Sequence, residues 1–245
     1  MYKRQVIWNV LTWIIGLPSS SSHALIGGLV GASLVKGGLY SVEWNNLLNK
    51  VILPLFLAPV IGFVSGFLLM KLSIAMFRNH NPSVAKVFKT IQGASMMLLA
   101  AGHGSNDAQK AMGIIAIALA ANPLQVMQVP YWVIVACAGA ITLGLSVGGW
   151  RIIKTISKQV SKITPLHSFD SQLSSGVTVY LSSKYGFPVS TTQIVGSSIM
   201  GVGAGYKVKS VRWAIAKNIL SAWLFTIPAS AVFAAIICFL FKFAR

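Results

Sequence analysis

Two clusters of hydroxyl side chains stand 170 positions apart in this chain: Pro18-Ser19-Ser20-Ser21-Ser22-His23 and Pro188-Val189-Ser190-Thr191-Thr192-Gln193. Each interrupts an apolar stretch, where hydroxyls are costly unless they line a cavity or hold a ligand. A third polar cluster, Gly102-His103-Gly104-Ser105-Asn106-Asp107, interrupts the apolar region from Thr90 to Ala121. The chain has three acids, Glu43, Asp107 and Asp170. Glu43 falls in an expected external loop and Asp170 near an expected cytoplasmic mouth, which leaves Asp107 as the carboxylate inside an apolar segment and a functional-site candidate by default. A carboxylate beside the amide of Asn106 suits a hard cation. The plainer alternatives for Asp107 are a helix cap or an ion pair with Lys110, three residues on.

The elements that carry these clusters follow from composition. The chain of 245 residues is 55% hydrophobic and 9% charged, with mean hydropathy +0.73. That excludes an ordinary water-soluble core and predicts an all-α polytopic membrane protein. Residues 51–70, 131–150 and 218–241 are uncharged runs of 20 or more residues, each long enough to span a bilayer. Residues 6–17 and 24–35 flank the first hydroxyl cluster, and 173–187 and 194–206 flank the second. Arms of roughly 12–15 residues, about 18–22 Å of helix, are too short to cross alone and predict two re-entrant hairpins. Glycines and small polar residues predict a break in the 90–121 helix as well.

A net charge of +17 raises nucleic acid as a partner, but the basic residues sit in short connections between apolar segments. That is the positive-inside pattern of a protein in a lipid bilayer, so no nucleic acid is expected. Residues 71–89 and 151–162 read as cytoplasmic, and Asn122 to Pro130, with no Lys or Arg, as external. Counting crossings opens the first hairpin to the outside and the second to the cytoplasm. Lys242 and Arg245 then lie on the wrong side and are exceptions.

The repeat extends beyond the hydroxyls. Gly16-Leu17-Pro18 matches Gly186-Phe187-Pro188, and Gly31 matches Gly201, at an offset of 170. Trp44 and Pro59 match Trp213 and Pro228 at 169. Together they indicate duplication, and with the opposed hairpins they predict inverted repeats whose re-entrant and broken helices meet near the membrane midplane. The implied organisation is an incomplete first repeat over 1–70, a basic cytoplasmic linker over 71–89 and a second repeat over 90–245.

Gly104-Ser105-Asn106-Asp107, followed by Pro188-Val189-Ser190-Thr191-Thr192, resembles the paired motifs of the inorganic phosphate transporter (PiT) family. The stretch from Pro18 to Gly28 resembles the hydroxyl motif of that family's first half. The resemblance covers nearly the whole chain. It implies a bacterial multi-pass protein of the inner (plasma) membrane, a secondary transporter and not an enzyme, that carries inorganic phosphate with sodium or a proton by alternating access. No cofactor is implied beyond the coupling ion. Ser20, Ser21, Ser22, Ser190, Thr191 and Thr192 are then the phosphate-facing hydroxyls, with Asn106 and Asp107 also at the phosphate. Asn106, Asp107 and Gln193 are candidate ligands of the coupling cation. Where the family commonly has Asn after Asn-Asp-x-x, this chain has Lys110, which removes one candidate cation ligand.

Several alternatives stay open at this level. Another oxyanion such as sulfate fits the hydroxyls, and a membrane-embedded hydrolase using Ser190 or Thr191 with Asp107 or His103 is a reading from another class. If the motif spacing is shared between halves, a first Asn-Asp pair falls about 64 residues before Met1. The chain is accordingly expected to be an N-terminally truncated member, with genuine loss of that module as the alternative and a folded but inactive fragment as a further reading. The coupling ion and the oligomeric state, a homodimer among them, are not fixed. His23 and His103 are proton-carrying candidates against ordinary backbone-bonded histidines. Lys184 is an anion-holding candidate against a merely hydrated lysine. Cys137 and Cys238 read as packing residues, and Gly139, Gly144, Gly148 and Gly149 as sites of close helix approach.

Overall fold

The computed structural model describes residues 20–77, 83–119, 128–148 and 164–243, together with Val10 and Ile14; side chains at 83–86, 148 and 241–243 are not described. Pro18, Ser19, all of the first arm of the first hairpin except Val10 and Ile14, and the basic stretch 151–162 lie outside these residues. Every regular element among those described is helical.

The first, α1 (Ser21–Gly37), starts where Ser20 caps it, its side chain accepting from the backbone N–H of His23. It stops at Gly38, whose φ of 68° is a left-handed conformation that a side chain would strain. A 3-10 turn (Leu39–Ser41) leads into α2 (Trp44–Phe77), which contains a π-helical turn at Leu48–Ile52 and Pro59 in its interior. Next come α3 (Ser83–Leu119) and α4 (Tyr131–Gly148). The second hairpin is α5 (Pro165–Lys184) and α6 (Thr191–Tyr206), and α7 (Trp213–Phe243) ends the fold.

The two hydroxyl motifs adopt one local structure. Ser20 has φ −97° and ψ 116°, and Ser190 has φ −95° and ψ 108°; each side chain accepts from the N–H three residues on. After each of α1 and α6 comes a 3-10 turn and then a tryptophan. The Trp44 Nε1–H donates to the Leu39 carbonyl at 3.0 Å, and the Trp213 Nε1–H to the Val208 carbonyl at 3.1 Å. The long helix behind each tryptophan carries an interior proline, Pro59 or Pro228.

Packing crosses between these equivalent parts. The face of α1 lies along α7, and the face of α6 along α2. Gly31 sits directly against the Ala231 carbonyl, and its counterpart Gly201 against the Phe63 carbonyl. A β-carbon at either site would occupy the neighbouring backbone.

The distribution of polarity is inverted relative to a soluble protein. On α2, Phe56, Leu57, Val60, Ile61, Val64, Leu68 and Leu72 are exposed, whereas Gly62, Gly66 and Ser73 are buried. On α5 the buried residues include Asp170, Ser171, Ser174, Ser175 and Thr178. Hydroxyls join the helices: Ser65 and Ser174 are 2.7 Å apart, Ser174 and Ser198 3.1 Å, and Ser198 donates to the Gly62 carbonyl at 3.0 Å. An apolar exterior around a hydrogen-bonded interior is the arrangement that hydrocarbon favours and water does not. Trp44–Phe77 and Trp213–Leu240 are long and apolar enough to cross a bilayer, and Tyr131–Val147 is a shorter apolar helix.

The fold corrects three expectations. No break occurs at Gly102–Asp107: α3 runs unbroken through it for 37 residues. Each interior glycine costs about 1 kcal/mol relative to alanine, too little to interrupt a helix held by tertiary contact, and α3 packs along α5 with Gly102 buried against Val179. The first arm of the second hairpin is also longer than 173–187. It begins at Pro165 because Thr164 and His167 form a reciprocal capping box, and its 20 residues span about 30 Å. Finally, Gly139 and Gly144 approach nothing within 4 Å among the described residues, so they mark no close helix contact there. Cys137 packs with Ala108 and Val133, as its sequence context predicts.

Candidate functional site

The N-termini of α1 and α6 meet. The Ser22 hydroxyl donates to the Val189 carbonyl at 3.1 Å, and the side chains of His23 and Gln193, which are equivalent in the repeat, lie 3.4 Å apart. A helix N-terminus carries about half a positive charge and N–H groups without intrahelical acceptors, so two together favour an anion. Ser20, Ser22, Ser190 and Thr191 are all buried here, while Ser21 and Thr192 are half-buried. Capping uses only an acceptor lone pair of Ser20 and Ser190, which leaves each O–H available to donate.

Because α3 is continuous, His103, Asn106, Asp107 and Lys110 fall at i, i+3, i+4 and i+7 and share one face. That face meets the two N-termini. Lys110 Nζ donates to Asp107 Oδ1 at 2.9 Å, to Ser22 Oγ at 2.7 Å and to the Val189 carbonyl at 2.8 Å. All three ammonium donors are thereby used. His103 Nδ1 lies 2.7 Å from Thr191 Oγ1 and 3.7 Å from Asp107 Oδ2. The Asn106 amide donates to Ser183 Oγ at 3.0 Å.

Three buried polar atoms around this junction have no partner among the described residues: His23 Nε2, Asn106 Oδ1 and Gln193 Oε1. His23 Nδ1 lies 2.9 Å from the Trp223 carbonyl and must donate to it, which makes Nε2 of the neutral ring an acceptor. Whichever way the Gln193 amide is turned, one of its ends remains buried and unpaired. Unpaired buried polar groups are expensive, and a polar ligand would satisfy them.

The candidate residues are thus brought to one junction, but not in a single cation cluster. Asp107 is paired with Lys110, Asn106 bonds Ser183, and the Gln193 amide lies 3.4 Å from His23 Nδ1. Lys110 and Ser183 are the residues that the sequence reading undervalued. The signal for Lys110 was its helical register with Asn106 and Asp107, hidden by the expected break; Ser183 carried no local signal. Lys184 is exposed in the last turn of α5, where a cation complements the helix C-terminus.

Asp107 is also not the only acid inside the bundle. Asp170 is 1% exposed, with Oδ1 accepting from Ser73 at 2.9 Å and Oδ2 unpartnered among the described residues. Its burial follows from the longer α5, which brings its first turns against α2. Glu43 is exposed and bonded to Asn46.

The geometry argues against a hydrolase. Thr191 Oγ1 and Asp107 Oδ2 both face the same nitrogen of His103, whereas a nucleophile-base-orienter relay needs opposite ring nitrogens.

An apolar-sided, all-helical bundle with two capped helix N-termini at a buried polar junction defines a membrane protein built to hold a polar solute. The profile of the Phosphate transporter family matches residues 4–83 and 73–234, and the chain belongs to that family. It is 43% identical over 237 residues to a probable low-affinity inorganic phosphate transporter of Rhizobium meliloti, covering 96% of this chain and 71% of the relative. A protein of the same description from Bacillus subtilis is 41% identical over 238 residues, again covering 96% and 71%. Among solved structures, one described as the sodium-dependent phosphate transporter superposes with a TM-score of 0.84 at 21% identity, covering 99% of this chain and 78% of that one. At that identity the likeness concerns the fold.

Proposed function

We propose that this chain carries inorganic phosphate across the bacterial inner (plasma) membrane as a multi-pass secondary transporter. Cation symport, with sodium or a proton, and alternating access complete the reading. The observation that carries it is the junction itself: Lys110 joins α3 to the hydroxyl motif of α1 and to the residue before that of α6. Phosphate takes the place between the two N-termini, with Ser20, Ser21, Ser22, Ser190, Thr191 and Thr192 as its hydroxyl lining and Asn106 and Asp107 beside it. The equivalent caps, turns and tryptophans support inverted repeats, one over 1–70 and one over 90–245, joined by the basic segment 71–89. Crossed packing ties α1 to α7 and α6 to α2, so the units that would rock in alternating access each combine helices of both repeats.

Phosphate is preferred over sulfate because buried acceptors, His23 Nε2 and Asn106 Oδ1, have no partner among the described residues. Protonated phosphate donates to them and sulfate does not. The test is uptake of radiolabelled phosphate into proteoliposomes under imposed sodium or proton gradients, with excess unlabelled sulfate as competitor. Gradient-driven accumulation that sulfate leaves intact supports the reading. Equal competition by sulfate removes phosphate selectivity, and uptake indifferent to every gradient removes symport.

A further inference from the structure

Lys110 is placed where a small cation would be expected. Its Nζ is held at 2.7–2.9 Å by a carboxylate oxygen (Asp107), a hydroxyl oxygen (Ser22) and a main-chain carbonyl (Val189). These are hard oxygen donors of three kinds from three separate parts of the chain, and the carbonyl belongs to non-helical backbone just before α6. Exposed carbonyls at interrupted helices and a carboxylate are the groups with which membrane transporters coordinate monovalent cations. An ordinary ion pair between residues three apart on a helix needs only the carboxylate. Here two of the three donors are directed instead to residues 88 and 79 positions away.

We propose that Lys110 is a tethered cation: its ammonium fills an oxygen cage that would otherwise take a monovalent metal ion, and balances Asp107 in its stead. It follows that sodium does not bind at Asp107 in the native chain. Removing the ammonium creates a sodium site from Asp107, Ser22 and Val189. This inference rests on the transport reading only for its consequence for coupling; the occupancy of the cage is a separate question with its own readout.

The test heats the full-length purified protein in phosphate-free detergent solution with graded sodium chloride, choline chloride holding ionic strength constant. The native chain and Lys110→Arg are expected to show no sodium-specific shift. Lys110→Ala should gain a saturable, sodium-specific rise in Tm of about 2–4 °C, the size that severalfold saturation gives a chain of this length. Lys110→Asn, which offers an amide oxygen, serves if the alanine variant does not fold. In proteoliposomes, a sodium gradient should stimulate phosphate uptake by Lys110→Ala and leave the native rate unchanged. Sodium-specific stabilisation of the native chain equal to that of the variant would overturn the proposal. So would a folded Lys110→Ala or Lys110→Asn that ignores sodium. Absence of phosphate uptake under every gradient would instead overturn the transport reading, and the Tm series would still decide the place of Lys110.

Discussion

Ser22 and Val189, 167 positions apart, share a hydrogen bond at 3.1 Å in which the serine donates, and both accept from the ammonium of Lys110. This contact joins the two hydroxyl motifs directly. It also explains why a lysine is tolerated at a buried junction: a carboxylate supplies the counter-charge, and the other two donors reach oxygens that the fold already holds in place.

Replacing Ser22 by alanine removes one acceptor of Lys110 and one donor to Val189. A hydrogen bond to a charged group contributes about 1.5–3 kcal/mol, so Ser22→Ala is expected to slow phosphate uptake roughly tenfold or more. It should lower Tm by several degrees. Uptake within a factor of two of native in a stably folded variant would remove Ser22 from the site.

Asp107→Asn leaves Lys110 without its counter-charge. The side chains of the pair are 16% and 26% exposed, so water replaces part of the lost interaction and the cost should stay below that of a fully buried pair, about 1–3 kcal/mol. Phosphate uptake is expected to fall at least tenfold, measured at equal protein density in proteoliposomes. Native-like uptake by Asp107→Asn would show that the carboxylate is dispensable.

The apolar runs at 51–70 and 218–241 were legible because length and apolarity alone define a crossing, and they fall inside the longer helices α2 and α7; the run at 131–150 appears as the shorter apolar helix α4. The hydroxyl motifs were legible as interruptions of apolar stretches, and a helix starts within each of them, capped by Ser20 or Ser190. The polar helix α5 was not fully legible, since its buried Ser174 is satisfied by Gly62, Ser65 and Ser198 on other helices. No single stretch of sequence records those partners. Reading Gly102 and Gly104 as a break concealed the face of α3 that aligns His103, Asn106, Asp107 and Lys110. The inference failed because a glycine placed against another helix signals contact as readily as interruption.

The two caps offer a comparison of equivalent sites. Ser20 accepts from the His23 N–H at 3.1 Å, Ser190 from the Gln193 N–H at 3.4 Å, a length at which the bond is weak. Loss of a cap costs about 1 kcal/mol, and Ser20→Ala should therefore destabilise more than Ser190→Ala. Thermal unfolding in detergent should place the Tm of Ser20→Ala below that of Ser190→Ala. A reversed order would mean that the serines serve mainly in some role other than capping.

Glycine substitutions separate helix contact from helix interruption. An alanine at Gly31 would push into the Ala231 carbonyl, and one at Gly201 into the Phe63 carbonyl, where main chain cannot yield as a side chain can. Each is expected to cost about 1–3 kcal/mol and to reduce the folded yield sharply. Gly104, inside the motif that sequence alone presents as a break, has open space at its β-carbon position and helical backbone on both sides. Gly104→Ala should leave Tm unchanged or raise it, by up to about 1 kcal/mol of added stability, because alanine is the better helix former. A marked loss of stability in Gly104→Ala, alongside tolerance of Gly31→Ala, would contradict both the unbroken α3 and the close crossing of α1 on α7.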